Sequence, residues 1–91
     1  MSQHDTILDE ASALICGDRN EDYGDARIDF ERQGAMWGEI LGHDVSARQV
    51  AMCMIATKLC REIHKPKHDN RVDMIGYAAL LEYVTQEPND G

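Results

Sequence analysis

The polar run Gly17-Asp18-Arg19-Asn20-Glu21-Asp22-Tyr23-Gly24-Asp25 holds side chains suited to ligand chemistry. A guanidinium such as that of Arg19 can grip phosphate oxygens through two parallel hydrogen bonds, and Tyr23 can stack on a base while its hydroxyl bonds a ribose or phosphate. A second group lies downstream, with Lys58 and Arg61 late in one apolar segment, Asp69, Asn70 and Asp73 opening the next, and Tyr77 one turn on. Lys58 and Arg61 add cations for a phosphate, and Asp69 and Asp73 add hard oxygen ligands of the kind Mg²⁺ takes. Plainer readings stand beside these. Arg19 can pair with a neighbouring acid, Tyr23 can plug a helix corner that Gly24 lets turn, and cations in a last turn satisfy the helix dipole whatever the ligand. Asp73 can likewise complement a dipole or pair with Lys58 or Arg61. Asp18-x-x-Glu21 and Asp22-x-x-Asp25 have i, i+3 spacing, but acids at a helix start cap and solvate without a metal.

Other chemistries find no residues to carry them. His4, His43, His64 and His68 have no Cys or His partner at zinc spacing. Cys16, Cys53 and Cys60 form an odd set without CxxC spacing and read as reduced core residues, so no thiol or hydroxyl relay can be argued.

Helical elements must position the two groups. Asp5 or Thr6 caps a first helix with the stripe Ile7, Leu8, Ala11, Leu14 and Ile15, which Gly17 is placed to stop in a left-handed conformation. Phe30, Gly34, Trp37 and Leu41 mark a second helix from about Asp25 to Leu41, with Gly42 as its stop. Ser46 and Gln49 make a capping box for a third helix running to about Ile63, beyond which Pro66 blocks continuation. Asp69 or Asn70 caps a fourth helix carrying Val72, Ile75, Ala79 and Val84. No segment alternates with period two, so residues 1–91 read as a single all-α domain, a compact bundle of about four helices. Phe30, Trp37, Tyr77, Tyr83 and the methionines read as packing residues.

The run Val50-Ala51-Met52-Cys53-Met54-Ile55-Ala56 is apolar on every side of a helix and asks for burial all round. A 91-residue chain buries only about 60 to 65% of its unfolded surface, so a second copy of the protein is the expected cover, with a well-covered central helix in a monomer as the competing reading. The charge of −8, from 17 acids against 9 bases, argues against polymeric nucleic acid as a partner. No apolar run reaches the roughly 18 residues of a membrane span, and Met1-Ser2-Gln3-His4-Asp5 lacks the basic start of a targeting peptide, which gives the expectation of a cytoplasmic protein.

Ile7-Leu8-Asp9-Glu10-Ala11, Gly17-Asp18-Arg19 with Asp22-Tyr23-Gly24-Asp25, the Phe30 to Trp37 helix, Lys58 to Arg61, and Asp73-Met74-Ile75-Gly76-Tyr77-Ala78 together resemble small helical domains encoded by phages and prophages. That likeness covers nearly the whole chain. Over about a third of it, the last two helices resemble the MazG-like all-α nucleotide pyrophosphohydrolases and dimeric dUTPases. The MazG-like resemblance implies Mg²⁺-dependent cleavage of a nucleoside triphosphate between its α and β phosphates, with carboxylates from two helices holding the metal. It places Asp73 at the aspartate of an ExxD motif, where Asn70 replaces the glutamate and Asp69 stands beside it. Asp29, Glu31 and Glu39 of the second helix form no ExxE pair, so the carboxylate cage is incomplete.

The expectation that follows is a phage-type small-nucleotide binder that sequesters a nucleotide immune signal uncleaved, with Arg19, Tyr23, Lys58 and Arg61 as its contacts. A divergent pyrophosphohydrolase using Mg²⁺ at Asp69 and Asp73 is the first alternative, and an acidic inhibitor that binds a host protein is the second. If Arg19 and Lys58 serve one ligand, the polar run must meet the end of the third helix.

Overall fold

The computed structural model describes residues 3–86. They form α1 (Gln3–Ala13), a π-helical turn (Leu14–Asp18), α2 (Arg19–Tyr23), α3 (Ala26–Leu41), α4 (Ala47–His64) and α5 (His68–Thr85). Because the π turn joins α1 to α2 without a break, the described residues make four helical rods, and among them there is no strand. None of these helices is long and apolar enough to cross a membrane.

The expected stop at Gly17 does not occur. Gly17 sits inside the π turn, where the Arg19 N–H bonds to the Leu14 carbonyl five residues back, and the polar run continues as helix up to Tyr23. The chain breaks instead at Gly24, whose φ of 77° is open to a residue without Cβ. Asp25 then caps α3 by accepting from the Arg27 N–H at 2.8 Å, and Gly42 ends that helix in the left-handed conformation. The capping box of Ser46 and Gln49 opens α4 as the sequence indicates. Asp69 and Asn70 do not cap α5. Its N-cap is Lys67, whose N–H is taken at 2.9 Å by Glu62 of α4, and the same carboxylate receives the Asn70 amide and pairs with Arg71.

The small core gathers Ala26 and Phe30 of α3, Val50 and Ala51 of α4, and Leu80 and Val84 of α5. Ile15, Trp37, Val45, Met54 and Tyr77 pack against it. Removing a side chain like Phe30 or Val50 fully from water contributes about 1.5–3 kcal/mol each. The connection that follows α3 approaches that helix unusually closely. A Cβ at Gly34 would lie 2.4 Å from the Val45 carbonyl oxygen, so this glycine admits the connection into α4. Arg27 ties α3 to the other end of the bundle by donating to the Tyr83 carbonyl at 2.8 Å and to that of Val84 at 3.4 Å, the orphan acceptors at the end of α5.

Several residues assigned to the core lie outside it. Leu8, Met36, Leu41 and Met52 are exposed, as are the free cysteines Cys16, Cys53 and Cys60. Nor is α4 covered all round, because α3 and α5 occupy one side of it and leave Met52, Leu59 and Ile63 open. Within this one chain α4 is therefore not a well-covered central helix.

Two glycines should respond oppositely to alanine. Gly34→Ala must push backbone and is expected to cost about 1–3 kcal/mol in urea unfolding, whereas Gly17→Ala meets nothing within 4 Å and should stabilise by up to about 1 kcal/mol. Acid should act through Asp25, whose carboxyl is held below its ordinary 3.8, first by the Tyr83 hydroxyl and then by the Arg27 N–H. A depressed folded pKa gives stability that is complete above about pH 4 and lost as pH falls through the lower folded value. Tyr83→Phe should thus be less stable than wild type at pH 6, with the gap narrowing below pH 4 in urea titrations.

Candidate functional site

The π turn sets up the site by its rotation. Five residues in place of four per hydrogen-bonded turn swing the following side chains around the helix axis, and π turns recur where function needs such an adjustment. Here the turn delivers Arg19 against α3. Its Nη2 bonds Asp29 Oδ2 at 2.6 Å, and the pair is largely out of water, with side chains 10% and 17% exposed. The guanidinium carbon lies 4.8 Å from the centre of the Phe30 ring and 5.7 Å from that of Tyr23. Gln33, one turn along α3, donates to the same Asp29 oxygen at 3.1 Å.

One atom of this arrangement is left over. Arg19 Nη1 is buried and makes no hydrogen bond, the sole such side-chain nitrogen or oxygen found among the described residues. A buried donor without an acceptor costs about 1–3 kcal/mol, and that cost disappears if a ligand oxygen arrives. Arg19 is itself one of the residues that line a cavity of about 670 Å³, with others from the π turn, α2, α3, α4 and α5.

Asp22, Tyr23, Asp73 and Tyr77 face the same cavity. Tyr23 is 64% exposed, so it does not plug the corner, and its ring stays open beside Arg19. Tyr77 lies against Phe30, ring centres 6.3 Å apart, and its hydroxyl has no hydrogen bond among the described residues. Lys58 reaches the site through Asp73, its ammonium 2.9 Å from the carboxylate. Lys58 is not itself among the residues that line the cavity, and Asp73 is its link to them.

Arg61 and Asp69 are placed elsewhere. Arg61 is exposed and, one turn beyond Lys58, lines a separate groove with Cys60, His64, Lys65, Lys67 and Asn70. Asp69 is exposed and lines neither concavity. Among the described residues no three His, Cys, Asp or Glu side chains converge as a metal-holding group. Asp73 is engaged by Lys58 and Asn70 is buried against Glu62, so the ExxD-like pair does not fit a Mg²⁺ cage.

Asp29 and Gln33 are the site residues that sequence reasoning missed, Asp29 having been weighed only as a metal carboxylate. Their i, i+4 spacing on the helix that carries Phe30 was the available signal.

The family described as "Domain of unknown function (DUF6378)" matches residues 6–85. This chain belongs to the DUF6378 family. The matched stretch includes every residue that lines the cavity. The DUF6378 chain is 36% identical over 88 residues to the Gene 55 protein of Mycobacterium phage D29, an overlap of 96% of this chain and 58% of that protein. It is 39% identical over 87 residues to the Gene 55 protein of Mycobacterium phage L5, covering 93% of this chain and 55% of the relative. The chain thus spans little more than half the length of these curated relatives, which accord with the resemblance to phage-encoded domains. No solved structure matches it.

If the Arg19–Asp29 pair is as dry as its geometry indicates, Arg19→Met should cost on the order of 2–4 kcal/mol by leaving Asp29 half-buried without its cation. Adding Asp29→Asn should recover part of that loss. A double-mutant cycle in urea measures both, and a single variant within about 0.5 kcal/mol of wild type would mean that the pair is solvated.

Proposed function

We propose that this DUF6378 chain binds a small nucleotide in the cavity between α2, α3, α4 and α5 and sequesters it without cleaving it. The observation that carries this reading is the buried, unpartnered Nη1 of Arg19, a residue of the cavity lining. A donor held in place by Asp29, Phe30 and Tyr23 waits for an acceptor, and a base carbonyl or a phosphate oxygen supplies one. The cavity volume falls in the range of about 300–1,000 Å³ usual for small-ligand sites. The open face of Tyr23 offers a stacking surface, and the Tyr77 hydroxyl can donate or accept.

Charge decides how such a ligand lies. Arg19 and Lys58 are each engaged by a carboxylate, Asp29 and Asp73, and Asp22 adds a further negative charge to the lining. A bare polyphosphate gains little from a cavity so balanced. The base and ribose fill it in this reading, with the phosphates toward its mouth. The relatives are phage proteins, and a phage protein that holds a host signalling nucleotide intact withdraws that signal from host defence. The functional unit is a homo-oligomer, since the apolar side of α4 left open by α3 and α5 calls for cover.

Incubation with a panel of nucleoside triphosphates and signalling nucleotides plus Mg²⁺, followed by mass spectrometry of the free and heat-released fractions, tests the proposal. One compound should leave solution and return unchanged. At 100 times its dissociation constant it should add about 2.7 kcal/mol of stability, and Tyr23→Ala should weaken its binding by about 1–3 kcal/mol. Conversion to monophosphate and pyrophosphate would instead establish the MazG-like hydrolase. A panel left wholly free and unchanged would sink the binder and turn attention to the acidic surface and a host protein.

A further inference from the structure

Helix α4 has two working sides. Val50, Ala51 and Met54 face the core and Lys58 turns toward Asp73, while Met52, Ala56, Leu59, Cys60 and Ile63 share an arc of roughly 100° on the outer side. All five are exposed, and the large ones strongly so, with Met52 at 45%, Leu59 at 50% and Ile63 at 76%. Met52, Ala56, Leu59 and Ile63 follow one another at spacings of four, three and four, which is the spacing of a helix-pairing seam. No charge interrupts the row. The exposed apolar residues of α3 differ in this respect, because Arg32 divides Ile28 from Met36 and Glu39 adjoins Ile40.

The amount of exposed surface points to what covers the row. The chain presents 6474 Å² to solvent, against about 5,400 Å² for a compact monomer of its 10.3 kDa. Its radius of gyration is 14.1 Å, against about 12 Å for a compact chain of this length. The surplus, on the order of 1,000 Å², is comparable with the roughly 800 Å² that each partner gives up in a standard stable interface.

We propose that the Met52–Ala56–Leu59–Ile63 row of α4 pairs antiparallel, about a two-fold axis, with the same row of a second copy. This rests on the homo-oligomer reading above and names its surface. Parallel pairing would set two copies of the basic cluster Arg61, His64, Lys65 and Lys67 side by side, and like charges at that distance repel. Antiparallel pairing separates the clusters and opposes the two helix dipoles. Under the two-fold, Met52 meets the partner's Ile63 and Ala56 meets the partner's Leu59, so the smallest residue receives one of the larger ones. The opposite side of α4 remains free to line the cavity.

Sedimentation velocity of the 91-residue chain over a hundredfold concentration range tests this. Wild type should sediment at twice the 10.3 kDa chain mass, and Leu59→Glu or Ile63→Glu should return the single-chain mass with an unchanged far-UV circular dichroism spectrum. Ile40→Glu, on α3, should leave the dimer intact. A wild-type monomer throughout the range would end both the homo-oligomer reading and this one. A dimer that survives both α4 variants and dissociates with Ile40→Glu would keep the oligomer and overturn the α4 seam.

Discussion

Phe30 is the ring on which the rest of this structure rests. It is almost wholly removed from water and sits in the second turn of α3, where a larger or smaller residue would change the spacing to α5. One neighbour is the Tyr77 ring of α5, and another is the guanidinium of Arg19. A cation lying over an aromatic face is attracted by the ring quadrupole, and Asp29 adjoining Phe30 in sequence fixes the same cation from the side. Core, ion pair and cavity wall therefore share one anchor. That sharing accounts for how a segment as polar as residues 17–25 can be held firmly against the bundle.

The chain must do this with little material. Its principal extents are 43, 38 and 22 Å, a slab scarcely two helices thick, and a slab leaves one side of each helix exposed. Helix α4 feels this constraint most strongly, since its residues serve the core, the cavity and an apolar outer face. Glu62 shows the same economy at the next turn, where one carboxylate receives the Lys67 N–H and the Asn70 amide and pairs with Arg71. A larger domain would spread these tasks over several residues.

What could be read from the sequence divides along the range of the interactions concerned. Ser46 with Gln49, and Gly42 after Leu41, act within one turn, so their residue types disclose the local structure directly. The all-helical class followed from the periodicity of residues such as Phe30, Trp37 and Val84. Gly17 misled because a π turn has no residue signature, and a glycine before a polar run looks like a stop. Asn70 misled because its partner, Glu62, lies eight residues back across a proline-containing turn. The exposure of Cys53, Leu59 and Cys60 was hidden for a related reason: an apolar run shows that cover is needed and not which neighbour provides it. At the site, Arg19 and Tyr23 were legible as chemistry, and Lys58 and Asp73 as a charged pair of positions. That Arg19 and Tyr23 reach the same cavity as Asp73 was not, since it depends on a rotation in the π turn.

That rotation has a genetic counterpart. A π turn is equivalent to one residue inserted into an α-helix, and each residue of an α-helix turns the chain by about 100°. Loss of a single in-frame codon between Leu14 and Asp18 would let α1 run into α2 as an unbroken α-helix and would leave the composition and core residues of α3 to α5 untouched. Arg19, then four residues from Leu14 in place of five, would still complete about one turn and emerge near the side it occupies now. For this fold a one-residue deletion in the π turn is thus a change of length that leaves the facing of Arg19 intact, whereas the same five residues wound as α-helix would turn it by about 100° away from Asp29.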